Sequence, residues 1–267
     1  PRISFAYNFN PEWNVSASVG SYYKIPSYRM LGFVDEEGNL KNKDLKYINA
    51  IHYTVGAQFV PKRDLRFTLE AFYKTYNNYP VSLESGISYA NIGTDFSAVG
   101  SENYSSIGKG RVYGIEAYVQ QQLIRSLFYV ASATIYKSEF SGLDEKYKPS
   151  TWDYNFVFST TFGYKFRNNW DVGLKYRLAG GQPYTPFDID ASISNYLTTG
   201  KGVYDYSQLN YKRLPIFSQL DFRIDKKFNF KQSSLSLFLD FQNILFYKTP
   251  YLPKFSFERT DDNSGFK

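Results

Sequence analysis

The stretch that decides the fold runs from Leu214 to Asn243 and reads LPIFSQLDFRIDKKFNFKQSSLSLFLDFQN. Apolar and polar residues alternate through it, with Leu214, Ile216, Leu220, Phe222, Ile224 and Phe228 on one parity and Gln219, Asp221, Arg223, Asp225 and Lys227 on the other. A period of two is that of a β-strand with one apolar and one charged face. After a short polar turn the alternation resumes from Leu235 to Phe241. The stretch therefore predicts a long hairpin whose two faces differ in polarity.

The length of these strands separates two kinds of β protein. Strands of a soluble β-sandwich usually have about five or six residues, and full charges could not sit in its dry core without partners. In a membrane β-barrel the apolar parity faces lipid over about 9–11 tilted residues, and the polar parity faces a wet lumen. Strands of about a dozen residues with a charged parity favour the barrel.

The composition agrees with a barrel and argues against several other classes. The 267 residues include 26 Tyr and 24 Phe, and aromatic residues favour strands and form girdles at membrane interfaces. There is no apolar run of about 18 residues that could form a membrane-spanning helix. The chain has no cysteine and one histidine, which excludes disulfides and thiolate metal sites and leaves little for imidazole chemistry. The 31 basic residues are interspersed with 25 acidic ones, so no basic face for nucleic acid is predicted.

The same alternation recurs along the rest of the chain. Ten strands are predicted in all, near residues 2–9, 13–23, 47–59, 65–76, 112–122, 127–139, 154–166, 170–179, 214–228 and 235–243. Short turns at Asn10-Pro11, Pro61–Asp64, Ile124–Ser126, Arg167–Asn169 and Asn229–Ser234 join them in pairs, and long segments near Asp35, Ser101, Pro149 and Tyr196 separate the pairs. We expect residues 75–111 to be one long connection with small strands near Val81 to Tyr89. One hairpin is less regular, because Phe128 and Val130 interrupt its polar parity.

Short turns at one rim and long loops at the other are typical of outer-membrane barrels, with the turns periplasmic and the loops extracellular. We therefore predict an all-β fold, a transmembrane antiparallel β-barrel with neighbours paired in sequence order. Ten strands that end in a loop would leave two open edges, which lipid does not tolerate. The chain is accordingly expected to be part of a larger polypeptide that supplies the missing strands.

A set of short motifs makes a family resemblance specific. They are Pro1–Ser4 (PRIS), Gly20–Pro26 (GSYYKIP), Glu70–Lys74 (EAFYK), Tyr113–Ala117 (YGIEA), Gly180–Pro186 (GGQPYTP), Leu220–Lys227 (LDFRIDKK) and Asp240–Asn243 (DFQN). In this order, from Pro1 to about Phe246, they resemble the C-terminal half of the barrel of TonB-dependent outer-membrane receptors, most like those of Bacteroidetes. The resemblance implies a barrel of about 22 strands plugged by an N-terminal domain, of which the ten strands would be about strands 12 to 21. Residues 1–267 would then be a partial barrel domain without the plug, the TonB box, the first barrel half and the last strand.

The motifs that would indicate an enzyme or a metal site fail. Gly108–Gly114 (GKGRVYG) resembles a phosphate loop, but its third glycine is one position late and no helix follows, so a loop returning to a strand is expected. Asp261–Gly265 lacks the alternating spacing of a calcium loop and is expected to be a solvated turn. His52 has no Ser or Asp near it in sequence, which argues against a catalytic triad. We predict no enzyme, no catalytic residue, no metal and no cofactor.

Two groups of side chains are candidates for the functional site. The lumenal charges Glu70, Glu116, Lys175, Arg177, Asp221, Arg223 and Asp240 would either line a substrate path or, as we favour, pair with one another and with the plug. The aromatic residues Tyr22, Tyr23, Tyr28 and Tyr184 would either contact the ligand or belong to the interface girdle.

The predicted function is active, TonB-energised uptake of a scarce nutrient across the cell outer membrane of a Gram-negative bacterium. A siderophore, haem, cobalamin, a glycan and a peptide all remain open as the nutrient. The partners implied are outer-membrane lipid, the TonB-ExbB-ExbD system through the N-terminal region, a small-molecule or oligomeric nutrient and a surface lipoprotein, with no nucleic acid. The alternatives are a passive outer-membrane channel and a structural or interaction barrel of a larger assembly.

Overall fold

The computed structural model describes residues 1–92 and 100–256, without the side chains of residues 196 and 197. The strands are β1 (Arg2–Asn8), β2 (Trp13–Lys24), β3 (Ile48–Lys62), β4 (Leu65–Ser82), β5 (Tyr104–Ile124), β6 (Leu127–Ser141), β7 (Tyr147–Pro149), β8 (Phe156–Phe166), β9 (Trp170–Ala179), β10 (Pro183–Tyr184), β11 (Phe187–Asp188), β12 (Val203–Tyr204), β13 (Lys212–Arg213), β14 (Phe217–Asn229) and β15 (Ser234–Phe241). Three short helices, α1 (Tyr28–Leu31), α2 (Ile189–Ser194) and α3 (Tyr196–Thr199), lie in the long connections. No helix in the described part of the chain is long and apolar enough to span a bilayer. The predicted turn at 261–265 lies outside the described residues.

Ten of the strands form one antiparallel meander. Its order is β1-β2-β3-β4-β5-β6-β8-β9-β14-β15, and β7 adds to β6 beside this path. Two small two-stranded sheets, β10 with β13 and β11 with β12, lie between β9 and β14. The prediction of ten long strands paired in sequence order is thus confirmed. Within the described residues β1 and β15 are the edges of the large sheet.

The cross-strand register pairs apolar positions with apolar positions and polar positions with polar positions in neighbouring strands of the large sheet. Phe222 lies opposite Leu174, which lies opposite Phe162, and Asp221 lies opposite Lys175 on the other side. Directly opposed residues in an antiparallel sheet point to the same face. The apolar residues predicted to share a face, Leu220, Phe222, Ile224, Leu237, Leu239, Val172, Leu174, Phe158 and Phe162, therefore form one continuous apolar face. We call the opposite side, with Asp221, Arg223, Asp240 and Lys175, the polar face.

Aromatic rings form two bands on the apolar face. Near the short turns, the Trp13 and Phe59 ring centroids are 4.5 Å apart and those of Phe59 and Phe67 are 6.2 Å apart. Near the long loops, Tyr73 lies 6.4 Å from Tyr53 and 6.2 Å from Tyr113. Phe67 and Tyr73 are six residues apart in β4, which at about 3.4 Å per residue separates the bands by about 20 Å along the strand. Two aromatic bands at this separation are typical of the interface girdles of membrane β-barrels.

The prediction of one long connection at 75–111 is wrong, because both ends of this segment extend strands. β4 continues to Ser82 and β5 begins at Tyr104, so only residues 83–103 connect them. The alternation is lost because the pairing register shifts at Tyr76, Tyr79 and Val81. The glycine-rich start of β5 also has a packing role, since a Cβ at Gly110 would overlap the Phe140 ring. Gly108–Gly114 is part of β5 and not a loop.

The irregular hairpin has a similar explanation. Phe128 lies opposite Gly163 on the polar face, and a Cβ at Gly163 would overlap the Phe128 ring. An aromatic ring placed over a glycine in the neighbouring strand covers backbone that would otherwise be open and pins the register. Phe128 thus interrupts the polar parity because its ring packs over Gly163.

The long connections pack on one another and hold more than half of the residues that are buried in the described part of the chain. Asn42 Nδ2 donates to the carbonyl oxygens of Met30 (2.9 Å) and Glu102 (2.8 Å), and the Tyr104 N–H donates to Asn42 Oδ1 (2.8 Å). In the same connection as Asn42, the Lys41 ammonium donates to the Asp35 carboxylate at 2.8 Å, and with the Asn39 N–H it lowers the pKa of Asp35. A buried amide side chain that satisfies several backbone groups joins connections that are far apart in sequence.

Two further buried asparagines join the other connections. Asn91 Nδ2 donates to the carbonyl oxygens of Lys148 (3.0 Å) and Pro149 (2.7 Å). Asn210 Nδ2 donates to the carbonyl oxygens of Asn91 (2.9 Å) and Pro149 (2.9 Å). We call Asn42, Asn91 and Asn210 the asparagine clamps; their exposed fractions are 1%, 2% and 3%. The long loops therefore form one ordered layer at their end of the sheet.

Candidate functional site

Two carboxylates meet without a cation on the polar face. The β4–β5 register places Glu70 directly opposite Glu116, and Thr134 Oγ1 donates to Glu116 Oε2 at 3.3 Å. No ion pair joins either glutamate to a lysine or arginine within residues 1–92 and 100–256. Like charges directly opposite each other in a sheet are destabilising. The pair is therefore suited to a cationic group from elsewhere.

Three of the other predicted charges on this face, Arg177, Asp221 and Arg223, form ion pairs within the sheet. Arg177 Nη2 lies 3.3 Å from Asp221 Oδ2, and the Asn243 N–H donates to Asp221 Oδ1 at 2.9 Å. Arg223 Nη2 lies 2.7 Å from Asp225 Oδ1. Of the charges predicted to line the lumen, Arg177 and Asp221 thus pair with each other. The pairing of the whole set with one another and with the plug stays a prediction. Glu70 and Glu116, by contrast, form no ion pair within the described residues.

A cleft of about 460 Å³ opens beside the paired charges. Its lining includes Phe128, Lys175, Asp221, Arg223 and Asp240. The register sets Lys175 opposite Asp221 and Asp240 opposite Arg223, so charges of both signs alternate along its wall. This charge balance suits close packing against a polar partner better than selection of ions of one sign.

The four tyrosines predicted from the sequence are not brought together. Tyr22 lies on the polar face, whereas Tyr23, its neighbour in β2, lies on the apolar face. Tyr28 is in α1 and exposed, and Tyr184 is in β10 opposite Lys212. The parity of β2 alone separates Tyr22 from Tyr23, because apolar residues occupy its odd positions.

The residues around Tyr22 were not predicted from the sequence. Its ring centroid lies 4.6 Å from that of His52, and the Arg2 guanidinium carbon lies 4.3 Å from it. The His52 ring lies 6.4 Å from that of Tyr76. His52 is thus in an aromatic cluster and not in a triad, and the described residues contain no group of three His, Cys, Asp or Glu that could hold a metal ion. The polar parity of β1 to β4 was the signal that could have grouped these residues.

Comparison with known proteins identifies a family that matches most of the chain. A family model described as the TonB dependent receptor-like β-barrel matches residues 1–244. A search of curated proteins finds no match.

Several solved structures are similar to the chain. The ferric-catecholate import receptor Fiu from E. coli K12 is 17% identical over 91% of this chain and 30% of its own, with a TM-score of 0.62. The ferripyoverdine receptor of the Pseudomonas aeruginosa outer membrane is 17% identical over 92% of this chain and 29% of its own, with a TM-score of 0.62. The ferric citrate transporter FecA is 17% identical over 92% of this chain and 33% of its own, with a TM-score of 0.61. The chain thus spans about three tenths of the length of these structures, and at this identity the likeness concerns the fold.

Proposed function

This chain belongs to the family of TonB-dependent receptor β-barrels, and we propose that it is part of the wall of an outer-membrane receptor for active nutrient uptake. The observation that carries the proposal is the family match over residues 1–244, which covers all ten strands of the meander. In such a barrel the apolar face meets lipid and the polar face meets the lumen. Energy would come through TonB acting on the N-terminal region. The similar structures include receptors for ferric chelates, so metal chelates are the first nutrients to test.

Deletion of the gene tests this function. We expect the deletion to slow growth on one limiting nutrient, among iron chelates, haem, cobalamin, glycans and peptides, and a TonB-deficient strain to show the same defect. The full-length gene should restore growth only when TonB is present. Restoration without TonB would favour a passive channel, and an unchanged growth rate on every nutrient, together with stoichiometric co-purifying partners, would favour a structural barrel.

The glutamate pair is proposed to contact cationic groups of the plug. Replacing both residues, Glu70→Gln and Glu116→Gln, in the full-length protein removes two charged acceptors, and a hydrogen bond to a charged group contributes about 1.5–3 kcal/mol. We expect uptake to fall at least roughly tenfold and the N-terminal region to become more sensitive to added protease. The matched control, Glu36→Gln with Glu37→Gln, removes the same charge from a long loop and should leave both unchanged. Equal behaviour of the two double variants would contradict the contact.

The orientation of the sheet gives a second prediction. The short turns are proposed to face the periplasm and the long loops the outside. Trypsin added to whole cells should cut after the exposed loop residues Lys43 and Lys201 and spare the exposed turn residue Arg167. All three sites should be cut once the outer membrane is permeabilised. Cleavage after Arg167 in intact cells would reverse the orientation.

A further inference from the structure

Aromatic rings cross the polar face at the long-loop end of the sheet. The register sets Tyr22 opposite Ala50, which lies opposite Tyr76, then Gly110 and finally Phe140. The Tyr76 and Phe140 ring centroids are 5.3 Å apart. His52 stands beside Tyr22 at 4.6 Å. We call Tyr22, His52, Tyr76 and Phe140 the aromatic row, which extends from β2 to β6.

Two glycines, Gly20 in the same strand as Tyr22 and Gly110 in the strand beside Phe140, let these rings lie close against the sheet. A Cβ at Gly20 would lie 2.9 Å from the Tyr22 ring, and a Cβ at Gly110 would overlap the Phe140 ring. Tyr22 is 36% exposed, so its ring remains open to a ligand, whereas Phe140 is 5% exposed and supports the rings above it. Rings held against a wall present a surface on which a planar group can stack.

Two cations, Arg2 and Lys74, flank the row. The Arg2 guanidinium carbon lies 4.3 Å from the Tyr22 ring centroid, and Lys74, opposite His52 in the register, has its Nζ 5.0 Å from the Phe72 centroid. Neither forms an ion pair with a carboxylate among the described residues, unlike Arg177 and Arg223 on the same face. The long-loop end of this wall is therefore both aromatic and positively charged.

The glutamate pair, Glu70 and Glu116, is too far from the aromatic row to repel an anion bound there strongly. Glu70 and Tyr76 are six residues apart in β4, about 20 Å along the strand at about 3.4 Å per residue. Wet charges separated by more than the Debye length of about 8 Å at physiological salt are largely screened from each other. An anion at the aromatic row would thus meet Arg2 and Lys74 and little of the repulsion from Glu70 and Glu116.

We propose that the aromatic row, with Arg2 and Lys74, is a binding site for an anionic ligand that carries aromatic rings. The proposal rests on the uptake function above and names the substrate class for it. Stacking on Tyr22 and Tyr76 increases the affinity for a ligand with aromatic rings. Charge-assisted hydrogen bonds from Arg2 and Lys74 increase the affinity for a ligand with negative charge. A neutral aliphatic ligand would form neither the stacking contacts nor the charge-assisted hydrogen bonds. The site lies at the long-loop end, where an incoming ligand arrives first.

Three iron(III) chelates separate these contributions. The complex with 2,3-dihydroxybenzoate is anionic and aromatic, the citrate complex is anionic without rings, and the acetohydroxamate complex has neither property. Their affinities would be measured by tryptophan fluorescence quenching on the full-length receptor in detergent. We expect the dihydroxybenzoate complex to bind at least roughly tenfold more tightly than either of the others.

Paired substitutions then assign the contacts. Tyr22→Leu with Tyr76→Leu should weaken binding of the dihydroxybenzoate complex about tenfold and leave the citrate complex unchanged. Arg2→Gln with Lys74→Gln should weaken both anionic complexes roughly 10–100-fold. The matched control, Tyr23→Leu with Tyr73→Leu, removes two rings from the apolar face of the same two strands and should leave all affinities unchanged. Heat-modifiable mobility on gels verifies that each variant is folded.

The outcomes distinguish this site from the proposed function. Absent or equal binding of the three chelates, or equal loss in the Tyr22/Tyr76 and Tyr23/Tyr73 variants, would overturn the site. If the gene deletion still shows a TonB-dependent growth defect on another nutrient, the uptake function stands without it. If no nutrient shows such a defect, the uptake function itself fails, whatever the chelates bind.

Discussion

Replacing Leu69 by arginine is expected to destabilise the barrel by about 2–4 kcal/mol, the cost of Arg or Lys on the lipid face at mid-depth. Leu69 lies on the apolar face of β4 between the two aromatic bands, opposite Ala57 and Ala117. It is 56% exposed, with no polar partner for a charged group among these neighbours. Urea titration of the full-length protein in lipid vesicles would measure the free energy of unfolding. The assembled amount in outer membranes should fall with it.

The neighbouring residue supplies the control. Thr68→Arg places the same charge one position earlier in β4, on the polar face, where Arg66 already lies. Because lumenal substitutions do not require burying a charge in lipid, we expect a loss below about 1 kcal/mol. Equal losses for the two variants would mean that the apolar face does not meet lipid.

Replacing Asp153 by alanine is expected to disorder the long-loop layer. The Asp153 side chain is 0% exposed, lies 2.7 Å from Arg213 Nη2, and accepts a hydrogen bond from the Ser138 N–H at 2.9 Å. Breaking a buried ion pair costs about 3–5 kcal/mol because the remaining charge is uncompensated. Arg213 is 29% exposed and can reach water after the substitution. We therefore expect the free-energy cost to be at the lower end of this range, about 3 kcal/mol.

Protease cleavage of whole cells measures this local opening. Cleavage that requires opening follows the opening equilibrium, in which about 1.4 kcal/mol is a factor of ten, so Asp153→Ala should speed cleavage after Lys201 roughly 100-fold. Asp144→Ala is the matched control, since its ion pair with Lys148 at 2.8 Å is partly exposed on both sides. Exposed pairs contribute about 0–1 kcal/mol, so its cleavage rate should change less than about fivefold. Equal rates for the two variants would show that Asp153 does not hold the loops together.

The asparagine clamps show why the loop layer matters for recognition. Each clamp donates to a backbone carbonyl of a connection other than its own, so the clamped segments are tied to one another without a ligand. Binding to preordered loops avoids the entropy cost of fixing them. The aromatic row lies at the same end of the sheet, so a ligand captured there would meet a preformed surface above the wall.

Part of the candidate site could be predicted from parity alone. The grouping of Asp221, Arg223, Asp240 and Lys175 on one face followed from alternation within each strand and is confirmed by the register. Alternation does not specify which charges meet, because that depends on how far each strand is shifted against its neighbour. The opposition of Glu70 and Glu116 and the pairing of Arg177 with Asp221 therefore became visible only in the structure.

The sequence by itself determined the fold class, the ten strands, their order and their two faces. The faces follow from a period of two, which is a local property of each strand, and the pairing within each hairpin follows from turns too short to allow any partner but the next strand. The order of the hairpins, which long connections join, was expected from the antiparallel arrangement typical of outer-membrane barrels. The tertiary structure decided where β4 and β5 extend, because bulges and rings packed over glycines hide the alternation there. It also decided how the loops join, since Asn210 and Asn91 are 119 residues apart and nothing local encodes their contact. Contacts between distant segments depend on the registers of every strand between them, and those are set only when the whole sheet is assembled.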